Sequence, residues 1–189
     1  MPEGAGIRSF QPCISWRQQL RPNRLLLAVL LFSAPCLSSA EDSPAKAAFE
    51  QLKALVGNWR ATDPGSSTLL EVKLIANGSA LVETWTMSPT RQSMTVYTLD
   101  GDRLLTTHYC PQGNAPRLVY TGTDASGAHR FDFIDGANLQ NPQGSHEHAF
   151  WIRKDPDGTV TRSETYIANG NQYDPEKDVG TTEKFSRAE

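Results

Sequence analysis

Three histidines, one cysteine and one glutamate have the side-chain types and spacings that could support chemistry. His108 and Cys110 are two positions apart in a run of β-forming residues, so on a strand they project from one face. His146 and His148 have the same spacing, which can present two imidazoles to a zinc-type metal ion, with His108 as a third ligand. Glu83 alternates with apolar residues, and a buried carboxylate has a raised pKa unless a donor such as Arg117 pairs with it.

Each of these groups also has a purely structural explanation. Apolar residues continue the strand face of His146 and His148, so the pair can instead mark where an apolar interior meets solvent. An unpaired cysteine is commonly a buried core residue. A register shift of one residue would turn Glu83 to solvent. The sequence assigns no catalytic residue and identifies no cofactor; an enzyme acting inside a barrel through Glu83 or His108 is one alternative function.

The first forty residues have the pattern of an export signal. Arginines precede the apolar run at 25–32, whose eight residues are too few to span a bilayer as a helix. Ser38 and Ala40 are small residues at the minus-three and minus-one positions of a cleavage site after Ala40. We therefore expect a signal peptide at 1–40 and a single secreted or periplasmic domain at 41–189, with an uncleaved signal anchor as the alternative.

The charge of residues 41–189 argues against a nucleic-acid partner. The whole chain has 18 basic and 21 acidic residues, of which four arginines and one glutamate precede residue 41, leaving 14 and 20. No basic cluster follows that would track a phosphate backbone. No apolar stretch after residue 40 is long enough for a membrane span. Two of the three cysteines precede residue 41, so Cys110 is expected to be a free thiol.

The hydrophobic periodicity predicts one helix followed by strands. Apolar residues recur at helical spacing over residues 44–56, and from Trp59 the period changes to two. About nine or ten strands follow, joined by short turns. This pattern is typical of an antiparallel up-and-down β-barrel; a two-sheet sandwich is the alternative.

Turn residues also predict strand registers. Asn77-Gly78 favours a two-residue hairpin, and Asp100-Gly101 favours another, which would place Tyr97 opposite Leu104. The first hairpin would pair Leu70 with Trp85, Val72 with Glu83 and Leu74 with Leu81.

A later hairpin has two possible loops. A two-residue loop at 157–158 would oppose Arg153 and Arg162, a destabilising like-charge pair. A four-residue loop at 155–158 opposes Arg153 and Val160 instead, and we expect this longer loop.

The hairpin at 91–117 and its neighbour predict a ligand pocket. His108 and Cys110 share a face with Thr106, and polar and apolar groups mix on it as they do in binding sites. We expect a small apolar or amphipathic molecule in the barrel interior; the competing view turns this face outward around a solid core. The candidate ligand-binding residues are Glu83, Trp85, Tyr97, Thr106, His108, Cys110, Asn114 and Arg117.

A helix leading into Gly57-x-Trp59, a meander of strands and the late basic residue Arg187 together resemble the calycin group, which includes lipocalins. The resemblance implies that Trp59 closes one barrel end and that Arg187 packs across it. Gly57, Trp59 and Arg187 are therefore the candidate structural residues.

A more specific resemblance is carried by the motifs at 95–102 and 107–110 together with Gly113-Asn114 and Pro116-Arg117. These are similar to a bacterial family of exported lipocalin-like domains of unknown function. The resemblance implies a fold and a compartment but brings no activity. The chain departs from haem-binding nitrobindin-like barrels at residues 60–64, where those have a glycine-rich run.

Overall fold

A computed structural model of the chain describes residues 42–139, 144–167, 173–174 and 180–188. The predicted signal peptide at 1–40 lies outside the described residues. Within them are helix α1 (Pro44–Leu52) and a 3-10 turn (Lys53–Leu55), followed by ten strands. The strands are β1 (Gly57–Ala61), β2 (Leu69–Ile75), β3 (Ala80–Ser88), β4 (Arg91–Asp100), β5 (Arg103–Tyr109), β6 (Ala115–Thr123), β7 (His129–Ala137), β8 (His146–Lys154), β9 (Val160–Ile167) and β10 (Thr181–Arg187).

The ten strands form one closed antiparallel barrel. Each strand pairs with its neighbours in sequence, and β1 pairs with β10, where Trp59 lies opposite Arg187. Closure satisfies the backbone groups that an open sheet would leave at its edges. The predicted barrel is confirmed, the sandwich alternative is wrong, and the architecture is consistent with a calycin-like fold.

Helix α1 packs over one end of the barrel. The Ser43 hydroxyl caps its first turn, and its buried side chains, among them Phe49 and Leu52, join the barrel core. Lys46 pairs with Asp102 at 3.3 Å, which places the helix at the end that carries the β4–β5 turn. No helix in the described part of the chain is long and apolar enough to cross a membrane.

Trp59 and Arg187 lock the helix to the strands. The Trp59 Nε1 donates to the Leu55 carbonyl at 2.8 Å, while Arg187 donates to the Val56 carbonyl at 2.9 Å. The Arg187 guanidinium carbon lies 4.8 Å from the centre of the Trp59 ring, a cation–π distance. Gly57 has φ +139°, and a Cβ there would collide with the same guanidinium. The positions of all three predicted structural residues are thus coupled.

Two hairpin predictions differ in outcome. The pairings expected around Asn77-Gly78 are confirmed. The loop expected at Asp100-Gly101 is Gly101-Asp102 instead, so Tyr97 lies opposite Thr106 and not Leu104. This slip is two residues long, and because strand side chains alternate with period two, every residue of β5 keeps its predicted face.

The register predicted for the β8–β9 hairpin is wrong by one residue. Thr159 belongs to the loop, because its amide donates to Asp157 at 3.0 Å and its carbonyl accepts from the Asp155 amide at 2.8 Å. An odd slip reverses the facing of a strand. Arg162, which the predicted register would turn outward, consequently points into the barrel. The observed pairings are Lys154 with Val160, Arg153 with Thr161 and Ile152 with Arg162.

We predict that Gly57→Ala destabilises the barrel more than Gly122→Ala does. Gly122 has a similar φ of +148° but open space around its Cβ position. Both alanines are strained, at a cost of about 1 kcal/mol, but Gly57→Ala also displaces Arg187 from Trp59 and adds about 1–2 kcal/mol. Urea denaturation measures both, and equal losses would mean that the Trp59–Arg187 contact contributes nothing.

Candidate functional site

A group of charged side chains crosses the barrel interior. It consists of Glu83 on β3, Glu147 on β8, and Arg162 and Glu164 on β9, and we call it the charge layer. Arg162 and Glu164 share a face because they are two residues apart on one strand. The side chains of Glu83, Glu147 and Arg162 are at most 1% exposed, whereas that of Glu164 is 24% exposed.

Arg162 is the centre of the charge layer. Its Nη2 donates to Glu147 Oε1 at 3.1 Å, its Nη1 donates to Glu164, and its Nε lies 3.5 Å from Glu83 Oε2. A guanidinium without water needs such partners, because an unpaired buried charge costs several kcal/mol or more. Each of the three guanidinium nitrogens therefore faces a carboxyl group.

Aromatic rings cover the faces of the same guanidinium. The Arg162 Cζ lies 4.2 Å from the Phe150 ring centre and 5.1 Å from the Trp85 ring centre. Such contacts favour the cation when water is excluded. Trp85 in turn makes an edge-to-face contact with Phe185 at 5.1 Å.

His108 lies beside the layer as a neutral imidazole. Its Nδ1 is 2.9 Å from Thr95 Oγ1 and 3.5 Å from Glu147 Oε2, and its Nε2 is 3.3 Å from the Tyr166 hydroxyl. Burial, and to a smaller extent repulsion from the Arg162 cation, lowers the pKa of His108 to about 4. At neutral pH, His108 therefore adds no positive charge to the interior.

The carboxyl groups of the layer hold protons more tightly than usual. Burial raises the pKa of Glu83 and Glu164 and raises that of Glu147 to about 7, while Arg162 opposes each shift. Tyr97 also donates to Glu83 Oε2 at 2.7 Å. One guanidinium thus faces three carboxyl groups. Protons bound by these carboxyl groups reduce the excess negative charge.

A pocket opens above the layer, at the barrel end opposite helix α1. Its volume is about 290 Å³. Glu164 and Tyr166, which lie on the same face of β9 as Arg162, line the pocket, and Trp85 forms an aromatic wall. The remaining lining residues come from the strand ends and from the β5–β6 loop: Met87, Arg91, Ser93, Cys110, Pro111, Gln112 and Glu183.

Several buried polar atoms of the pocket wall and of the charge layer have no hydrogen-bond partner among the described residues. Trp85 is 5% exposed, and its Nε1 has no hydrogen-bond partner among the described residues. Glu83 Oε1 and Glu147 Oε2 likewise have none within that part of the chain. Buried polar groups normally find partners, so such atoms point to a bound molecule or water.

Six of the eight predicted ligand-binding residues are buried in the interior: Glu83, Trp85, Tyr97, Thr106, His108 and Cys110. Of these, Trp85 and Cys110 line the pocket, and burial raises the pKa of the free Cys110 thiol. Asn114 instead donates to the Ser145 carbonyl at 2.7 Å.

Arg117 does not have its predicted position. It lies on the outer surface in an ion pair with Asp135, and both side chains are about half exposed. The residue cannot therefore be the partner of Glu83. The cation that faces Glu83 is Arg162.

The three candidate metal ligands do not converge. His146 Nε2 lies 3.0 Å from His148 Nδ1, whereas His108 contacts Thr95 and Tyr166. Among the described residues, no three histidine, cysteine, aspartate or glutamate side chains form a group that could hold a metal ion.

A β-bulge explains why Glu147 escaped prediction. The β8–β9 register shifts between Glu147 and Ala149, so strict alternation fails at His148. Unbroken alternation from Phe150 would turn Glu147 outward, but the bulge turns it inward to Arg162. No residue type in this segment predicts the bulge.

The other missed residues, Arg162, Glu164 and Tyr166, share one cause, the one-residue error in the β8–β9 loop. A signal was present: Asp157 two residues before Thr159 favours a side-chain turn that draws Thr159 into the loop. The predicted register avoided an Arg153–Arg162 pair but did not include this turn.

No protein-family model matches this sequence, and no curated protein matches it either.

We predict that Arg162→Met destabilises the protein by about 3–5 kcal/mol at pH 8, because it leaves buried carboxylates without their cation. The loss should be smaller at pH 5, where these carboxyl groups take up protons. Arg117→Met is the matched control and should change stability little, since its ion pair is solvent-exposed. A similar loss in both variants, measured by urea denaturation, would contradict a special role for Arg162.

We also predict that stability falls as the pH rises from about 6.5 to 8. Because the folded-state pKa of Glu147 is raised to about 7, the folded protein binds this proton more tightly than the unfolded chain, and that stabilisation is lost through pH 7. His108 opposes part of this fall: its folded-state pKa is lowered to about 4, whereas the unfolded imidazole, with an ordinary pKa of about 6.5, still binds part of a proton at pH 6.5 and loses it by pH 8.

Glu147→Gln should reduce this fall by on the order of 1 kcal/mol. Glu50→Gln, an exposed carboxylate change on helix α1, should leave it as in the wild type. Denaturation curves at several pH values provide the measurement, and an unchanged slope in Glu147→Gln would show that another group carries the effect.

Proposed function

We propose that residues 41–189 form an exported lipocalin-like barrel that binds a small organic molecule in the pocket opposite helix α1. The observation that carries the proposal is the pocket of about 290 Å³, whose lining combines apolar side chains such as Trp85 and Met87 with charged and polar ones next to the charge layer. Ligand sites typically combine apolar walls with a few converging polar groups.

The position of the pocket limits the size of the ligand. Large apolar side chains such as Leu70, Phe131 and Phe150 fill the barrel below the charge layer. Ligand pockets usually have volumes of about 300–1,000 Å³, so this one is at the small end of the range. The ligand is therefore a small amphipathic molecule at the barrel mouth, and not a long apolar chain buried along the axis.

The charge layer also bears on the ligand's head group. Arg162 already faces Glu83, Glu147 and Glu164, so it is not available to bind a carboxylate or phosphate. A buried guanidinium shared by three carboxyl groups supports a neutral or cationic ligand.

A pocket-filling variant tests the proposal. Ser93 is 9% exposed and lines the pocket, so Ser93→Phe should occupy the space that the ligand needs. Ser79→Phe, in the exposed turn at the helix end, is the matched control. We expect small aromatic and aliphatic fragments to bind the wild type and the control but not Ser93→Phe, as monitored by ligand-observed NMR.

Cys110 provides an independent readout, because it lines the same pocket. A bound fragment should slow alkylation of Cys110, followed by peptide mass spectrometry. Fragments that bind Ser93→Phe and the wild type equally, in a variant with unchanged circular dichroism, would place ligand binding elsewhere.

A further inference from the structure

We propose that the pocket selects a small organic cation, with its ammonium group held by Glu164 and Glu183 beside Trp85. This inference rests on the proposed function and assigns the chemical class of the ligand. It depends on the balance of charge, on the positions of two carboxylates and on a donor of the pocket wall that has no partner among the described residues.

Carboxyl groups outnumber guanidiniums in the pocket and in the charge layer below it. Among the described residues that line the pocket, two are carboxylates, Glu164 and Glu183, and one is a base, Arg91. The layer below adds Glu83 and Glu147 against Arg162, so four carboxyl groups face two guanidiniums. A ligand with one positive charge reduces this imbalance, whereas an anion increases it.

A second observation is the placement of the two lining carboxylates. Glu183 on β10 lies opposite Arg162, and Glu164 is two residues further along β9. Diagonal positions of this kind are about 7–8 Å apart at Cα. Both side chains therefore rise from neighbouring strands on one side of the pocket, where a single ammonium group can contact both.

Other polar groups near this position agree with a donor-rich ligand. The Ser66 hydroxyl donates to Glu183 Oε1 at 2.6 Å, which orients one carboxylate. Tyr166 and Cys110 also line the pocket, and burial raises the pKa of both, so neither contributes a negative charge at neutral pH.

A third observation is independent of the acidic residues. Trp85 is 95% buried, lines the pocket and carries an Nε1 proton without a partner in the described part of the chain. A ligand that brings an acceptor atom would satisfy this donor. The face of an aromatic ring also favours a cation more than it favours an anion.

The experiment uses ligands that differ only in charge. Sets are built on one skeleton, for example benzylamine, benzyl alcohol and benzoate, and binding to the wild type is measured by calorimetry and ligand-observed NMR. We expect the ammonium member of each set to bind at least about tenfold more tightly than the alcohol, the size expected of a charge-assisted hydrogen bond. The carboxylate member should bind most weakly.

Variants then assign the effect to the two carboxylates. Glu183→Gln, near the pocket mouth, should abolish the tenfold preference for the ammonium member over the alcohol, and Glu164→Gln should do the same. Glu50→Gln removes an equal charge from helix α1 at the other barrel end and should retain the preference. Because Glu183 is only partly buried, its variant keeps the test valid if Glu164→Gln fails to fold.

Each outcome decides a different question. Alcohols or carboxylates that bind as tightly as ammonium compounds, or a preference that survives Glu183→Gln, would overturn the cation inference and leave small-molecule binding in place. If no member of any set binds the wild type, both the inference and the proposed function are wrong.

Discussion

The arrangement of Arg162 among three carboxyl groups is the constraint on which the upper half of this barrel depends. A guanidinium without solvent must be paired, and its partners come from β3, β8 and the same strand β9. Strands β8 and β9 pair directly, and closing the sheet brings β3 across the interior from them. The apolar core below and the pocket above are thus separated by a polar layer whose position the barrel topology fixes.

The two ends of the barrel have opposite characters for physical reasons. At one end, α1 buries its apolar face, and the stack of Arg187 on Trp59 fixes the chain between helix and sheet. At the other, Glu164, Glu183 and the β5–β6 loop line a pocket. Apolar burial supplies stability at the sealed end, which leaves the open end free to carry groups that are unfavourable for packing.

The excess of carboxyl groups connects stability with the proposed ligand. Burial raises the pKa values of Glu83, Glu147 and Glu164, and because that of Glu147 reaches about 7, a proton on Glu147 offsets part of the negative charge of the layer near neutral pH. A cation in the pocket offers the same carboxyl groups another source of positive charge. The folded protein therefore tolerates carboxyl groups that Arg162 pairs only in part. These groups are the source of the proposed selectivity for a cation.

The sequence by itself predicted the helix, about nine or ten strands and the barrel, because apolar periodicity and Asn-Gly or Asp-Gly turns encode these features locally. It named Glu83, Trp85 and His108 as interior candidates but left open whether their faces turn inward, because both faces of these strands carry apolar residues. A two-residue slip at Gly101-Asp102 did no harm, since it preserved the faces of β5. The tertiary structure alone decided that Arg162 and Glu147 point inward. A five-residue loop and a bulge each shift the alternation by one, and these shifts are fixed by backbone hydrogen bonds between strands, which residue types reveal only weakly.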